Sequence, residues 1–183
     1  EFGAPLDTIQ VEAFRDTEIA TIVMPEGVTT IEEGAFENSD LREITIPGSM
    51  TSIGVNAFYN CERLESVTFL PSPTKTPLNI CNMKWGYVYG PFYDSKLTTI
   101  NLNRKLNYVD EDGDKFTADD DDEGIFYHKN YSNVGEVNVT LGSQVDTIWY
   151  KMFNHLPIRT LTIPGTVKTI ENNVFEGCSA LTT

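Results

Sequence analysis

Apolar positions recur along this chain with a period of 22 residues. Ile9, Ile31 and Ile53 share one slot, Phe14, Phe36 and Phe58 a second, and Pro25 and Pro47 a third, while Ile148 and Phe153 return near the other end as Ile170 and Phe175. The segment ITIPGSMTSIGVNAFYNCERL (44–64) comes back as LTIPGTVKTIENNVFEGCSAL (161–181). Each unit opens on a leading apolar residue: Ile19, Leu41, Leu64, Leu97, a position near Val134, and Ile158. An alternating pair follows, namely Ile22/Met24, Ile44/Ile46, Val67/Phe69, Ile100/Leu102, Val139/Leu141 and Leu161/Ile163. Alternation with β-branched residues predicts a short strand with one face buried. The proline beside it cannot donate to a ladder, so it ends the strand and turns the chain. A second apolar pair, such as Val28/Ile31 or Val167/Ile170, predicts an opposite wall, and the phenylalanine plugs the space between. A fixed period of this length means stacked coils, here a repeat solenoid of about seven units of nominal 22–23 residues. Strands joined by so long a connection must be parallel.

The period stretches twice. Leu64 to Leu97 spans 33 residues and Leu97 to Val134 spans 37, which places insertions near 71–91 and 110–123 within one array covering 1–183. Insertions into repeats lengthen surface loops at little entropic cost and gather on one face, often the binding face. The first is aromatic: CNMKWGYVYGPFYD (81–94) carries Trp85, Tyr87, Tyr89 and Tyr93 beside Phe92, whose distance to Leu97 makes it the repeat phenylalanine. Trp85, Tyr87 and Tyr89 either form a platform for a sugar ring or a partner hot spot, or fold back over the enlarged coil. The second insertion is acidic. Residues 110–123 hold nine carboxylates and one lysine, a charge of −8 out of the chain's −14. Asp110, Asp112 and Asp114 follow the D-x-D-x-D opening of a calcium loop. Lys115 stands where that loop requires glycine, however, and Asp121 where it requires a bidentate glutamate. The run therefore reads first as a solvated tip, and no cofactor or metal is expected.

An acidic chain lacks the basic footprint that tracks a phosphate backbone, which removes nucleic acid from the expected partners. No apolar run approaches the length that spans a bilayer. Cys61, Cys81 and Cys178 are an odd number without a CxxC pair, so neither a zinc site nor a disulfide framework is indicated. Cys61 and Cys178 sit three residues after the repeat phenylalanine, where other units have Thr17, Ser39 and Ser95, and so read as small buried residues. The sequence has no G-x-S-x-G, H-E-x-x-H, P-loop or dinucleotide fingerprint. His128 and His155 adjoin no candidate nucleophile, so the expectation is a protein that is not an enzyme. Both ends fall inside a coil without a polar cap, so this is expected to be a piece of a longer protein.

LREITIPGSMTSIGVNAFYNCERLESVTF (41–69) and IRTLTIPGTVKTIENNVFEGCSALTT (158–183) resemble the BspA-like, or Treponema pallidum-type, leucine-rich repeats. Pro25, Pro47 and Pro164, the phenylalanine series, Cys61 with Cys178, and Leu41, Leu64 and Leu181 carry the likeness. It is close over the outer coils and loose between 71 and 145. The commoner leucine-rich repeat differs, since here no asparagine recurs at a fixed core position. The resemblance implies a leucine-rich-repeat-like right-handed coil with short parallel strands. It also implies an extracellular or cell-surface bacterial protein that adheres to host or bacterial proteins, with no catalytic residues to carry over.

The outward strand positions then become the candidate site. One row is Val23, Thr45, Thr68, Asn101, Thr140 and Thr162; its neighbour includes Thr21, Glu43, Ser66, Thr99 and Thr160. A concave face of hydroxyls and amides with little charge suits a protein surface or a glycan. The same residues also suit strands simply as soluble β-formers. Three functions remain: a noncatalytic protein-interaction or adhesion module, a glycan-binding module built on the aromatic insertion, and a spacer within a larger surface protein.

Overall fold

A computed structural model describes residues 6–81, 83–84, 87–88, 90–109, 124–128 and 135–182. Its strands, in chain order, are β1 (Thr8–Ile9), β2 (Thr30–Ile31), β3 (Glu43–Ile46), β4 (Ser52–Ile53), β5 (Ser66–Phe69), β6 (Leu78–Cys81) and β7 (Met83–Lys84). Next come β8 (Tyr87–Val88), β9 (Thr99–Leu102), β10 (Leu106–Val109), β11 (Asn138–Leu141), β12 (Thr147–Ile148) and β13 (Thr169–Ile170). They form two parallel walls. The first wall runs β11-β9-β5-β3 and the second β1-β2-β4-β6-β10. A parallel sheet with crossover connections, repeated in register, is the solenoid that the period predicts.

Register explains the core. In the first wall Ile44, Val67, Ile100 and Val139 are aligned, as are Ile46, Phe69, Leu102 and Leu141. In the second wall Ile9, Ile31, Ile53, Ile80 and Tyr108 are aligned. All but Val139, which is half-buried, are buried, because alternate strand residues point to the same side. Between the walls the phenylalanine rings stack. Phe14, Phe36, Phe58 and Phe92 lie 5.0, 5.2 and 5.0 Å apart, within 3° of parallel, and the column continues through Phe126 and Phe153 to Phe175. A third ladder of backbone bonds threads this turn: Phe14, Phe36 and Phe58 N–H donate to Ala35, Ala57 and Pro91 C=O.

The turn needs left-handed backbone on both sides of the ring. Two residues before it stand Glu12, Gly34, Asn56, Lys151 and Asn173, and two residues after it Asp16, Asn38, Asn60, Asp94, His155 and Gly177, all with positive φ. Asn, Asp and Gly adopt that region most readily, which accounts for their recurrence at these positions, with Glu12, Lys151 and His155 as exceptions.

Two expectations change. The alternation over Ile22/Met24 and Leu161/Ile163 predicts strands in the end coils, but residues 20–25 and 159–164 form none. Arg42 N–H still reaches Ala20 C=O at 3.1 Å, yet no ladder continues along the segment. A coil with a neighbour on one side only gains half the pairing and half the burial, and the core-facing Ile22, Met24 and Leu161 are only half-buried while Ile163 is exposed. The first insertion also does more packing than its sequence suggests. Residues 71–77 fold over the corner of the coils, where Ser72 exchanges two bonds with the Gln144 side chain, each 3.0 Å, before β6 rejoins the second wall. The short antiparallel pair β7–β8 departs from the walls.

Among the described residues, the strand ladders of both walls are interrupted after β10 and β11. The first wall continues past β11 as one isolated bridge, Val137 to Ile158, and β12–β13 form a separate pair. At this junction the Trp149 indole stacks on Tyr108 at 5.6 Å and donates to Leu106 C=O at 2.9 Å, occupying the edge a strand would use. The ring column widens to 6.0 Å between Phe126 and Phe153. Elements with few shared backbone bonds open as units below the global stability. Native-state hydrogen exchange is therefore expected to show 145–182 exchanging as a block, ahead of Ile44, Val67 and Ile100. Equal protection on both sides of the junction would contradict this.

Candidate functional site

The first wall presents its polar side outward. Thr45, Thr68, Asn101 and Thr140 occupy matched positions on β3, β5, β9 and β11, with Glu43, Ser66, Thr99 and Asn138 in the parallel row two residues back. Thr45 and Thr140 are exposed, while Thr68 and Asn101 are half-buried and joined by a bond from Asn101 Nδ2 to Thr68 Oγ1 of 3.2 Å. These side chains alternate with Ile44, Val67 and Ile100, so the core fixes where they point. The eight positions carry one charge, Glu43. Thr162 is exposed in the strandless segment of the last coil, as Val23 is in the first, so the strands bring together four of the six row residues.

The other candidates are placed differently. Tyr87 lies on β8, and Trp85 and Tyr89 fall outside the described residues, as do Asp110, Asp112 and Asp114. Among the described residues no three His, Cys, Asp or Glu side chains are grouped to hold a metal ion, and no helix is long and apolar enough to cross a membrane.

The cysteine slot is a packing position with a hydrogen bond. Cys61 Sγ donates to Phe36 C=O at 3.1 Å and Cys178 Sγ to Phe153 C=O at 2.9 Å, as Ser95 Oγ donates to Phe58 C=O at 2.7 Å. Burial pushes both thiols up to about 11. A raised thiol pKa keeps both side chains in the neutral form that packs and donates a hydrogen bond.

Two surface series were not anticipated. Asn60 Nδ2 donates to Asn38 Oδ1 at 2.8 Å and Asn38 Nδ2 to Asp16 Oδ1 at 2.7 Å, a polar ladder on the left-handed residues. Tyr59, Tyr93 and Tyr127 stack one residue away, at 5.9 and 5.2 Å. The signal for the asparagines was the 22-residue register read two places beyond the phenylalanine; the tyrosines, one place beyond it, are 34 residues apart, across the stretched units.

A family profile described as BspA type leucine-rich repeat region matches residues 1–84 and 122–183 in six copies. No curated protein sequence matches the chain. Among solved structures, the chain is similar to the pneumococcal vaccine antigen PcpA, with 19% identity and a TM-score of 0.41 over 96% of this chain and 58% of that one. It is also similar to a leucine-rich cell surface protein of Faecalibacterium prausnitzii, with 27% identity and a TM-score of 0.39 over 93% of this chain and 46% of that one. The chain thus spans about half the length of these structures.

Proposed function

Because the chain belongs to the BspA-type leucine-rich repeat family, we propose that it is a noncatalytic protein-interaction or adhesion module of a secreted or cell-surface bacterial protein. It docks an extracellular host or bacterial protein on the outer face of the first wall. The observation that carries this reading is the row Thr45, Thr68, Asn101 and Thr140, which the parallel register holds at equal steps on a rigid, nearly uncharged sheet. None of its side chains belongs to the buried core. Rigid elements hold contact groups more precisely than loops do. Neutral donors and acceptors at fixed spacing recognise polar protein surface with little desolvation of charge. The buried, protonated cysteines support a noncatalytic role.

The test uses a panel of immobilised extracellular-matrix and mucosal proteins. A partner that the chain binds is expected to lose at least about tenfold in affinity when Thr45, Thr68 and Asn101 are all replaced by alanine. Melting should shift little, since these side chains are outside the core. Unchanged affinity for every bound partner would remove this face as the binding site.

A further inference from the structure

Beyond that face, the flank of coils two to four holds a polar groove of about 450 Å³, lined by Asn38, Asp40, Asn60, Glu62, Arg63 and Lys96. A smaller groove of about 260 Å³ continues from it, sharing Glu62 and Arg63 and adding Arg42 and Glu65. From this geometry we infer that the flank is a binding site for a neutral oligosaccharide, separate from the strand face.

The hydrogen-bond inventory is the first argument. An asparagine side chain offers two N–H donors and two acceptor lone pairs. In the ladder Asn60 uses one N–H on Asn38, and Asn38 uses one N–H on Asp16 and one lone pair on Asn60. The ladder leaves over one N–H of each amide, one lone pair of Asn38 and the whole of Asn60 Oδ1, on two residues that line the groove. Vicinal hydroxyls, which donate and accept together, match this mixed array.

Charge is the second argument. Arg63 pairs with Asp40 of the preceding coil at 3.1 Å, and Lys96 with Glu62 at 3.4 Å. Both cations of the larger groove already face an anion, and Arg42 shares the smaller groove with Glu62 and Glu65. A phosphate, sulfate or carboxylate would have to displace a carboxylate, and a cationic ligand an ammonium or guanidinium, so both are opposed while an uncharged polar ligand is not. Polarity also excludes the apolar small molecules that ordinary pockets of this size accept.

Spacing is the third. The two amides repeat with the coil, at about 4.8 Å, a step comparable with one sugar ring in a linear chain. Successive rings therefore meet successive amides. The backbone that fixes these amides is already left-handed, φ 56° at Asn38 and 52° at Asn60, so no ordering is needed on binding.

The experiment is a glycan array followed by calorimetry with the neutral oligosaccharide that gives the strongest signal. Binding is expected to persist between about 0.05 and 0.5 M salt. It should fall about tenfold or more in Asn38→Gly and Asn60→Gly, which keep the left-handed backbone while removing the amide. The Thr45, Thr68 and Asn101 triple variant should bind the glycan normally, which separates this site from the protein-docking face. The proposal is overturned if no neutral glycan binds, or if only sialylated or sulfated glycans bind with steep salt dependence. Unchanged affinity in both glycine variants overturns it too, as does occupation of the groove by an extended peptide in place of sugar.

Discussion

Phe36→Ala is expected to destabilise the protein by about 3–5 kcal/mol, read as a fall in the urea midpoint at unchanged slope. Phe36 is wholly buried and lies between Phe14 at 5.0 Å and Phe58 at 5.2 Å. Its removal takes away the transfer free energy of a large side chain and leaves a cavity that two walls hold open. Near-parallel offset rings add about 0.5–1.5 kcal/mol per pair, and this variant breaks two pairs. Position within the column sets the scale. Phe14 is only half-buried and has one ring neighbour, so Phe14→Ala should cost about 1–2 kcal/mol. A loss under about 1 kcal/mol at Phe36, or equal losses at both sites, would contradict a column that stabilises by stacking coil on coil.

The column was largely legible from spacing. Phe14, Phe36, Phe58, Phe92, Phe153 and Phe175 follow from the period, because each shares its register with a leading leucine or isoleucine and, except at Phe153, where Leu156 stands, with a small residue three places on. Phe126 did not. It sits in GIFYH, which shares G-x-F-Y with GPFYD at 90–94 but lies eight residues before Val134, so the distance to a leading apolar residue did not mark it. The outward rows were legible for the same reason as the core: a strand of period two fixes both faces at once. The end strands were over-read, because alternation reports which residues suit a strand and not whether a neighbour is there to pair with.

Spacing could not reach the groups whose partners come from distant coils. The asparagine ladder combines a conformational requirement, positive φ, with side chains that then align. The sequence showed the residue type at each turn but not that neighbouring turns bring the amides within bonding distance. The Ser72–Gln144 clasp joins residues 72 apart. It makes the first half of an insertion part of the packed body, although an insertion invites a purely functional reading.

Arg104 is the strongest case, and Arg104→Ala is the second large expected loss, about 3–5 kcal/mol in the same urea measurement. Nothing in its local sequence marks it as buried, yet it is among the largest fully buried side chains. One guanidinium nitrogen donates to Pro47 C=O at 3.2 Å and Gly48 C=O at 3.4 Å, the other to Met50 C=O at 2.9 Å and Thr76 C=O at 3.1 Å. A coil corner and the insertion loop thus meet on one planar group. Burial lowers its pKa, but a guanidinium remains protonated, and four carbonyl dipoles stand in for a counter-ion. Alanine takes the guanidinium donors from Gly48, Met50 and Thr76 C=O, while Pro47 C=O keeps the Met50 N–H at 3.1 Å. The cost is about 1–3 kcal/mol for each carbonyl left bare that water does not reach. Arg104→Lys should recover only a minor part of the loss, because an ammonium has three donors at one point and cannot span carbonyls set around a fork. Full rescue by lysine would mean that charge alone matters at this corner. A neutral effect of alanine would mean that the loop over 71–77 holds without it. If both variants are destabilised as expected, the insertion's attachment to the coils is a property of the fold, and the outer strand face and the flank groove project from a body that is rigid across the stretched repeat.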